Sequence, residues 1–433
     1  MRIVLVDPPG VRRGLNTGYG YLCAALKKEG HIVEVIDFAN RPGEAKKRMQ
    51  QARGSDLIGF SIKSSTLNKT LQLARMTHGE RLIAGGPHIA LDGKRFMEEN
   101  PQFDLCVMGE GEEAVVSIAR GDDYRAIDGT LFRDNSRVTG TGCRRWIENL
   151  DDLPFPEYSC FDSVREKRTI QNYPIVTSRG CPYRCTFCSV PQVTGRRWRA
   201  RSPENVVAEL LQAKDRYGSR EFKVLDDNFT LDVARAKDIC RLLLGKRTDM
   251  TWSCANGIRA DRVDEELLGL MRASGCESIS IGIESADPAV LSQTRKGEEL
   301  EHIRRTVELA RKKGIRVQGF FIIGLTGSTY ESDKRSLEFA KAVGLDEASW
   351  GLLVPYPGTE LWDQFRSDRS VRFLRDWKEG FHLGANPKPV FETRDYPAWK
   401  KLKAYYLFNL RTRRRKQAPK AIGRIVKNLL VGK

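Results

Sequence analysis

From the N-terminus, short apolar runs rich in β-branched residues alternate with amphipathic stretches. The runs fall at 2–6, 32–36, 57–61, 81–84 and 103–108, and helical periodicity fills intervals between them, as over Tyr19 to Glu29 and Thr66 to His78. Strands alternating with helical patterns about every 25 residues predict βαβ units. Residues 1–140 are therefore expected to form a five-stranded, mostly parallel, Rossmann-like α/β sheet. In such open sheets ligands bind at the carboxyl ends of the strands. Four of those ends run into small or rigid residues: Asp7-Pro8-Pro9-Gly10, Ser61-Ile62-Lys63-Ser64-Ser65, Gly85-Gly86-Pro87-His88 and Gly109-Glu110-Gly111-Glu112. Any one alone is an ordinary turn. Together on one rim they describe a shallow, backbone-lined surface suited to a large flat ligand.

Residues 141–172 are irregular and rich in Pro, Asp and Ser, as in Leu153-Pro154-Phe155-Pro156, which predicts a linker preceded by a small hairpin around Thr130 to Thr139. A second alternation follows over 173–375, with strands expected at 174–178, 222–226, 250–254, 278–283, 316–323 and 348–354. Amphipathic helical patterns such as Glu204 to Tyr217, Asp264 to Ala273 and Leu300 to Lys313 lie between them. Six βα units predict a partial, TIM-like (β/α)6 barrel whose chemistry sits at the strand C-termini. A basic helical segment over 376–433 completes the chain.

A length of 433 residues accommodates these two domains. No run approaches the roughly 18 to 20 apolar residues of a membrane span. Met1 leads directly into a strand-like run without signal-peptide features, so a cytoplasmic protein is expected. In that compartment ten cysteines suit metal binding, reactive thiols or small core positions better than disulfides. The net charge of +17 is concentrated at one end: residues 394–433 hold 13 Lys or Arg against the single acid Asp395.

Three cysteines stand apart. Directly after the strand at 174–178 comes Arg179-Gly180-Cys181-Pro182-Tyr183-Arg184-Cys185-Thr186-Phe187-Cys188, three thiols spaced C-x3-C-x2-C in one loop. Structural zinc sites and protein-ligated four-iron clusters normally close with four ligands. Three thiolates on a cubane leave one iron open to another ligand; a zinc loop with a remote fourth ligand is the plainer alternative. Cys23, Cys106, Cys143, Cys160, Cys240, Cys254 and Cys276 are isolated and expected to be small buried residues.

The spacing, with an aromatic residue before the last cysteine at the end of the first barrel strand, resembles the radical S-adenosylmethionine superfamily. The resemblance implies a 4Fe-4S cluster on Cys181, Cys185 and Cys188 whose open iron chelates S-adenosylmethionine, and an electron donor such as ferredoxin or flavodoxin. One electron then cleaves the sulfonium to a 5'-deoxyadenosyl radical. By the same resemblance Phe187 belongs to the S-adenosylmethionine site, Asp227 accepts from the methionine amino group, Arg259 pairs with its carboxylate, Glu284 meets the ribose, and Gly319 to Gly324 packs on adenine. The simpler roles are helix capping for Asp226 or Asp227 and a surface ion pair for Arg259.

The rim loops joined to this barrel, in this order, resemble the cobalamin-binding subfamily over residues 1–375. That implies cobalamin contacts from Asp7, Pro8, Ser61, Ser64, Ser65, Gly85, Gly86, His88, Gly109, Glu110, Gly111 and Glu112. The Asp-x-His-x-x-Gly motif that places a histidine beneath cobalt is absent around His31, His78, His88, His302 and His382, so a cofactor without a histidine lower ligand is expected. His88 is expected to be a polar loop residue, on the corrin edge or exposed.

The implied function is a cobalamin-dependent radical methyltransferase acting on an unactivated carbon, with a protein or peptide substrate favoured because little chain remains for an added substrate domain. Cyclisation or rearrangement of a small molecule or lipid is the alternative within the subfamily. A transfer-RNA methylthiotransferase would explain the basic charge, but Cys23, Cys106 and Cys143 lack its local motifs and the C-terminus reads helical. A non-enzymatic adaptor built on the tail is the third reading: residues 398–430 mix Trp399, Tyr405, Phe408 and Leu429 with the Arg411 to Lys416 cluster, which suits an acidic partner or a membrane surface. No DNA partner is expected.

Overall fold

A computed structural model describes residues 1–10, 13–142, 146–380 and 387–412. The chain divides into two compact units. The first comprises Met1–Cys181, Val190–Arg201 and Gln212–Ser219; the second comprises Pro182–Ser189, Ser202–Leu211 and Arg220–Lys433.

The first unit begins β1 (Arg2–Asp7), α1 (Thr17–Lys28), β2 (Ile32–Asp37), α2 (Ala45–Met49), β3 (Leu57–Ser61), α3 (Leu67–Ala74), β4 (Arg81–Gly85), α4 (Pro87–Glu99), β5 (Leu105–Val107) and α5 (Glu112–Arg120). It continues through β6 (Thr130–Asp134), β7 (Arg137–Gly140), α6 (Asp162–Lys167), β8 (Asn172–Ile175), β9 (Ser178–Arg179), α7 (Val190–Val193) and β10 (Arg199–Ala200). Its sheet has the order β2-β1-β3-β4-β5-β6-β7. The first five strands are parallel, with Ile3 opposite Val33 and Leu57. Their carboxyl ends therefore share one edge.

The sheet has seven strands rather than five, because the hairpin β6–β7 pairs antiparallel with β5, Cys106 opposite Leu131. Leu131 and Phe132 bury their side chains there, which the hairpin could not do in solvent. The segment expected as a linker is likewise structural: Tyr158, Cys160, Phe161 and Val164 are buried, and Phe161 bridges Val35. Val4, Val6, Ile58, Phe60, Leu82 and Ala84 pack on Ile89, Phe96 and Met97 of α4. Full burial of a large apolar side chain contributes about 1.5–3 kcal/mol.

Helix α8 (Pro203–Tyr217) leads into β11 (Glu221–Val224), α9 (Val233–Gly245), β12 (Thr251–Ile258), α10 (Glu265–Ala273), β13 (Cys276–Glu284), α11 (Pro288–Gln293), α12 (Leu300–Lys312), β14 (Arg316–Ile323), α13 (Tyr330–Ala342) and β15 (Glu347–Leu352). All six expected strands of the second alternation exist, the first as β8. In the second unit β15-β14-β13-β12-β11 form a parallel sheet. Side chains alternate across it. Trp252, Cys254, Ile279, Ile281, Val317, Phe321, Ala348 and Trp350 are buried on the helix-covered face. The other face carries Ser253, Ser278, Gln318, Phe320, Ile322 and Ser349, all partly exposed.

The chain then adds α14 (Glu360–Ser367), β16 (Val371–Phe373), β17 (Phe391–Thr393) and α15 (Ala398–Thr412). Helix α15 lies on β15: Phe408 meets the Trp350 ring edge-on at 5.0 Å, and the Trp350 Nε1–H donates to Thr412 Oγ1 at 3.2 Å. Of the helical C-terminal segment, 413–433 and most of the Arg411 to Lys416 cluster lie outside the described residues. No helix among the described residues is long and apolar enough to cross a membrane.

Candidate functional site

The rim of the first sheet is built as a laced set of loops. Gly86 precedes α4 with φ +95, and Pro87 fills the first helical position where its missing N–H costs nothing. A Cβ on Gly86 would come within 3.1 Å of the Ile62 backbone N and O and Ser61 Oγ. The Ile62 N–H donates to Gly85 O (2.8 Å), and the His88 N–H to Ile62 O (3.0 Å). His88 is buried rather than exposed, its Nδ1 2.9 Å from Ser64 Oγ. Ser61, Ser64, Ser65, Gly85, Gly86, Gly109 and Gly111 are partly exposed. This small-residue, backbone-rich rim fits cobalamin, whose broad face needs close backbone approach.

Asp7 and Pro8, at the end of β1, are buried. Asp7 accepts from Asn16 Nδ2 at 3.0 Å. Burial pushes its carboxyl up to about 6 against the opposing pull of Lys63 and Asn16.

Glu110 and Glu112 of the same rim meet arginines. Arg179 donates to Glu110 Oε1 (3.0 Å) and Glu112 Oε1 (2.7 Å). Arg199 and the Ile147 N–H donate to Glu110 Oε2 at 2.8 and 2.6 Å. Burial opposes ionisation of Glu110, but the hydrogen bond from Arg199 and the two guanidinium charges outweigh it and hold the carboxyl below its usual range. Both carboxylates thus accept from arginines, Glu110 through both oxygens and Glu112 through Oε1.

Arg179 is two residues before Cys181. Arg179 and Arg199 are opposite one another in the ribbon β9–β10. Gly180 has φ +86, and a Cβ there would lie 2.3 Å from Arg197 O, so no side chain is tolerated. The Cys181 N–H donates to Gly195 O at 3.2 Å.

The later part of the cysteine loop is anchored within the second unit. Thr186 N–H donates to Thr294 O (3.0 Å), and Leu361 N–H to Thr186 O (2.9 Å). Phe187 packs against a cluster containing Val290, Leu325 and Leu353. Cys181, Cys185 and Cys188 are partly exposed, whereas Cys23, Cys106, Cys160, Cys240, Cys254 and Cys276 are buried; Cys143 lies outside the described residues. Burial raises the thiols of Cys106, Cys254 and Cys276, and pushes Cys240 up to about 11. Among the described residues the loop thiols alone are partly exposed, and a thiolate donor set fits iron and sulfide.

In the loops after β11 and β14 of the second unit, four residues hold buried polar atoms with no hydrogen-bond partner among the described residues. Asn228, after β11, is 2% exposed, and neither its amide N nor its O meets a hydrogen-bond partner among the described residues. The same holds for the hydroxyls of Thr230, Thr326 and Ser328. Buried polar groups are rarely left so unless a ligand satisfies them. An amino acid joined to a ribose, as in S-adenosylmethionine, supplies such partners. Asp227 is exposed beside Asn228.

Glu284 has φ +66, strained for a non-glycine residue, at a bulge between β13 and β14. Its Oε1 is 3.0 Å from Lys296 Nζ, and Lys296 lies 3.4 Å from Glu298. A Cβ on Gly282 would fall 2.5 Å from Glu284 Oε1, so the glycine makes room for the pair. Burial works against the Lys296 ammonium, but Glu284 and Glu298 outweigh it and raise its affinity for a proton.

Arg259 is held by the protein. It donates to both Asp261 oxygens (2.9 Å each), Lys296 O (2.8 Å) and Gly297 O (3.2 Å), and lies 3.8 Å over the Tyr183 ring. One N–H remains for a carboxylate. Arg179 and Arg199 are not signalled by the sequence because their carboxylate partners are distant along it, and Lys296 and Asn228 carry no local motif.

The radical SAM superfamily matches residues 175–340, and the B12 binding domain matches 13–119. An uncharacterised methyltransferase of Pyrococcus horikoshii is 31% identical over 95% of this chain and 93% of its own length. An anaerobic magnesium-protoporphyrin IX monomethyl ester cyclase of Cereibacter sphaeroides is 26% identical over 86% of this chain and 64% of its own. Among solved structures, the radical S-adenosylmethionine methyltransferase TsrM of Kitasatospora setae, with tryptophan and a S-adenosylmethionine analogue bound, has TM-score 0.76 at 19% identity, covering 96% of this chain and 89% of that one.

Proposed function

The chain belongs to the cobalamin-binding radical S-adenosylmethionine enzymes, and from that premise we propose that it methylates an unactivated carbon of a polar, amide-bearing substrate such as a peptide or protein side chain. Methylation is favoured over cyclisation by coverage: the match spans 93% of the methyltransferase relative but 64% of the cyclase.

When bound, the 4Fe-4S cluster, S-adenosylmethionine and cobalamin supply reductive sulfonium cleavage and methyl carriage. Cys181, Cys185 and Cys188 would hold the cluster. Asn228, Thr230, Thr326 and Ser328 would satisfy the polar groups of S-adenosylmethionine, with Asp227 on the methionine amine and Glu284, steadied by Lys296, on the ribose. Phe187 would pack beside them. Arg259, through Asp261 and the Lys296 and Gly297 carbonyls, would shape that wall and offer one N–H to the methionine carboxylate. The loops at Asp7, Pro8, Ser61, Ser64, Ser65, Gly85, Gly86, Gly109 and Gly111 would seat the corrin, with His88 beneath the loop rather than on cobalt.

The substrate class is carried by the polar face of β12–β15, where Ser253, Gln318 and Ser349 are partly exposed. Gln318 Nε2 donates to Ser349 Oγ at 2.9 Å, and Ser280 Oγ approaches Gln318 Oε1 at 3.5 Å. Phe320 and Ile322 follow toward the strand ends. A hydrogen-bonding band suits amides better than a lipid tail, which would desolvate the donor and acceptor capacity that these groups have left after pairing with one another. A low-potential donor such as ferredoxin or flavodoxin would supply the electron. Anaerobic turnover with methyl-labelled S-adenosylmethionine is expected to release both S-adenosylhomocysteine and 5'-deoxyadenosine in step with product. Product formation without S-adenosylhomocysteine would replace methylation by cyclisation or rearrangement.

A further inference from the structure

The arginine–carboxylate cluster joins two loops with different expected duties. Glu110 and Glu112 belong to the strand-end loop of the cobalamin rim, between Gly109 at φ +82 and the first turn of α5. Arg179 belongs to the ribbon that delivers Cys181. The side chains of Arg179, Glu110, Glu112 and Arg199 are 10%, 5%, 8% and 3% exposed, and two positive charges balance two negative ones. The Arg179 guanidinium also lies over the Tyr21 ring at 4.9 Å, and that of Arg199 over Trp146 at 5.5 Å. Arg199 further donates to Ile147 O (2.6 Å) and Thr194 O (2.8 Å).

We propose that Arg179 is a positioning residue through which occupancy of the cluster site and binding of cobalamin are coupled. This rests on the family membership above and concerns how its two cofactor sites communicate. The mechanical link is short. Between Arg179 and Cys181 stands only Gly180, whose backbone is hemmed in by Arg197 O, and Cys181 is tied to Gly195 O. When Cys181 takes up iron, its backbone position is fixed. Arg179, opposite Arg199 in the ribbon, is fixed with it. Through buried, charge-assisted bonds with little freedom to reorganise, Arg179 then fixes Glu110 and Glu112, and with them Gly109 and Gly111 of the rim. The coupling requires that the ribbon and this loop sample more arrangements without iron on Cys181 than with it. Coupling of this kind is reciprocal, so cobalamin must hold the cluster by the same factor.

The test is equilibrium binding of hydroxocobalamin to the full chain, chelator-stripped or anaerobically reconstituted. The reconstituted wild type is expected to bind more tightly, by a factor within the roughly 5- to 150-fold range usual for such coupling. Arg179→Lys and the near-isosteric Glu110→Gln and Glu112→Gln are expected to load iron and bind cobalamin yet bring that ratio toward unity. Cys181→Ala, which leaves the ion cluster untouched, is expected to bind with the affinity of stripped wild type even after reconstitution. The reciprocal arm follows loss of the iron–sulfur absorbance to chelator, slowed by cobalamin in wild type and not in the glutamine variants. Equal affinity of stripped and reconstituted wild type overturns the proposal, as does an undiminished ratio in the folded glutamine variants. A chain that binds no cobalamin in either form contradicts the cofactor assignment instead.

Discussion

At the scale of single residues, Asp7 shows how a ligand rim strains the fold around it. A carboxyl raised in the folded state favours the protonated form, so the native chain binds more protons than the unfolded one between about pH 4 and pH 6. Its contribution is therefore neutral below that window and turns unfavourable as pH rises through it, by up to on the order of 3 kcal/mol. Asp7→Asn, which can still accept from Asn16, is expected to raise the melting temperature above pH 6, to lose that advantage near pH 4, and to weaken cobalamin binding. Melting curves across pH with parallel cobalamin titrations check all three. The residues that carry chemistry by type, the three loop cysteines above all, were legible from spacing alone. The acceptors of Arg179 were not: Glu110 and Glu112 are 69 and 67 positions away in sequence, and nothing local marks a carboxylate as spoken for. Glycine-flanked acids read as rim residues, and only the fold shows that arginines reach them.

Among the elements, strands were the most legible part because their apolar runs are buried beneath helices on at least one face, and the strand at Arg316–Ile323 matches its expected bounds. The hairpin Thr130–Gly140 was visible, but its attachment to the edge of the first sheet was not, since edge pairing is decided by which backbone is left open. The ribbon β9–β10 escaped notice for a related reason: two residues per strand leave no periodicity to detect. Its importance lies in Gly180. Gly180→Ala would both require a left-handed backbone of a non-glycine residue and press a methyl into Arg197 O. The expected outcome is a chain of near-normal far-ultraviolet circular dichroism that incorporates much less iron on reconstitution. Iron loading equal to the parent's would show that the ribbon tolerates displacement.

Across the whole molecule, the two alternations foretold two α/β units, yet the division does not fall in the expected linker: it falls after Cys181, inside the cysteine loop. Length and composition could not reveal this, because the segment at 141–172 is bland in sequence but buries Tyr158 and Phe161. A single cluster-binding motif predicts about four irons per chain, the stoichiometry of one cubane rather than two. Metal analysis of anaerobically reconstituted protein checks this; about eight would revive the methylthiotransferase reading, and zinc in place of iron would remove the radical chemistry altogether.

The contrast between the loop cysteines and the six shielded ones bears on how such a chain survives oxygen. If air strips the metal, oxidising equivalents meet three accessible sulfurs in one short stretch. Among the described residues, the remaining thiols stay behind apolar side chains, with no surface exposure to invite scrambled crosslinks. Damage is thereby confined to a place that a mild reductant can reach, and a bleached sample should recover its colour on anaerobic treatment with thiol, iron and sulfide, without passing through the unfolded state.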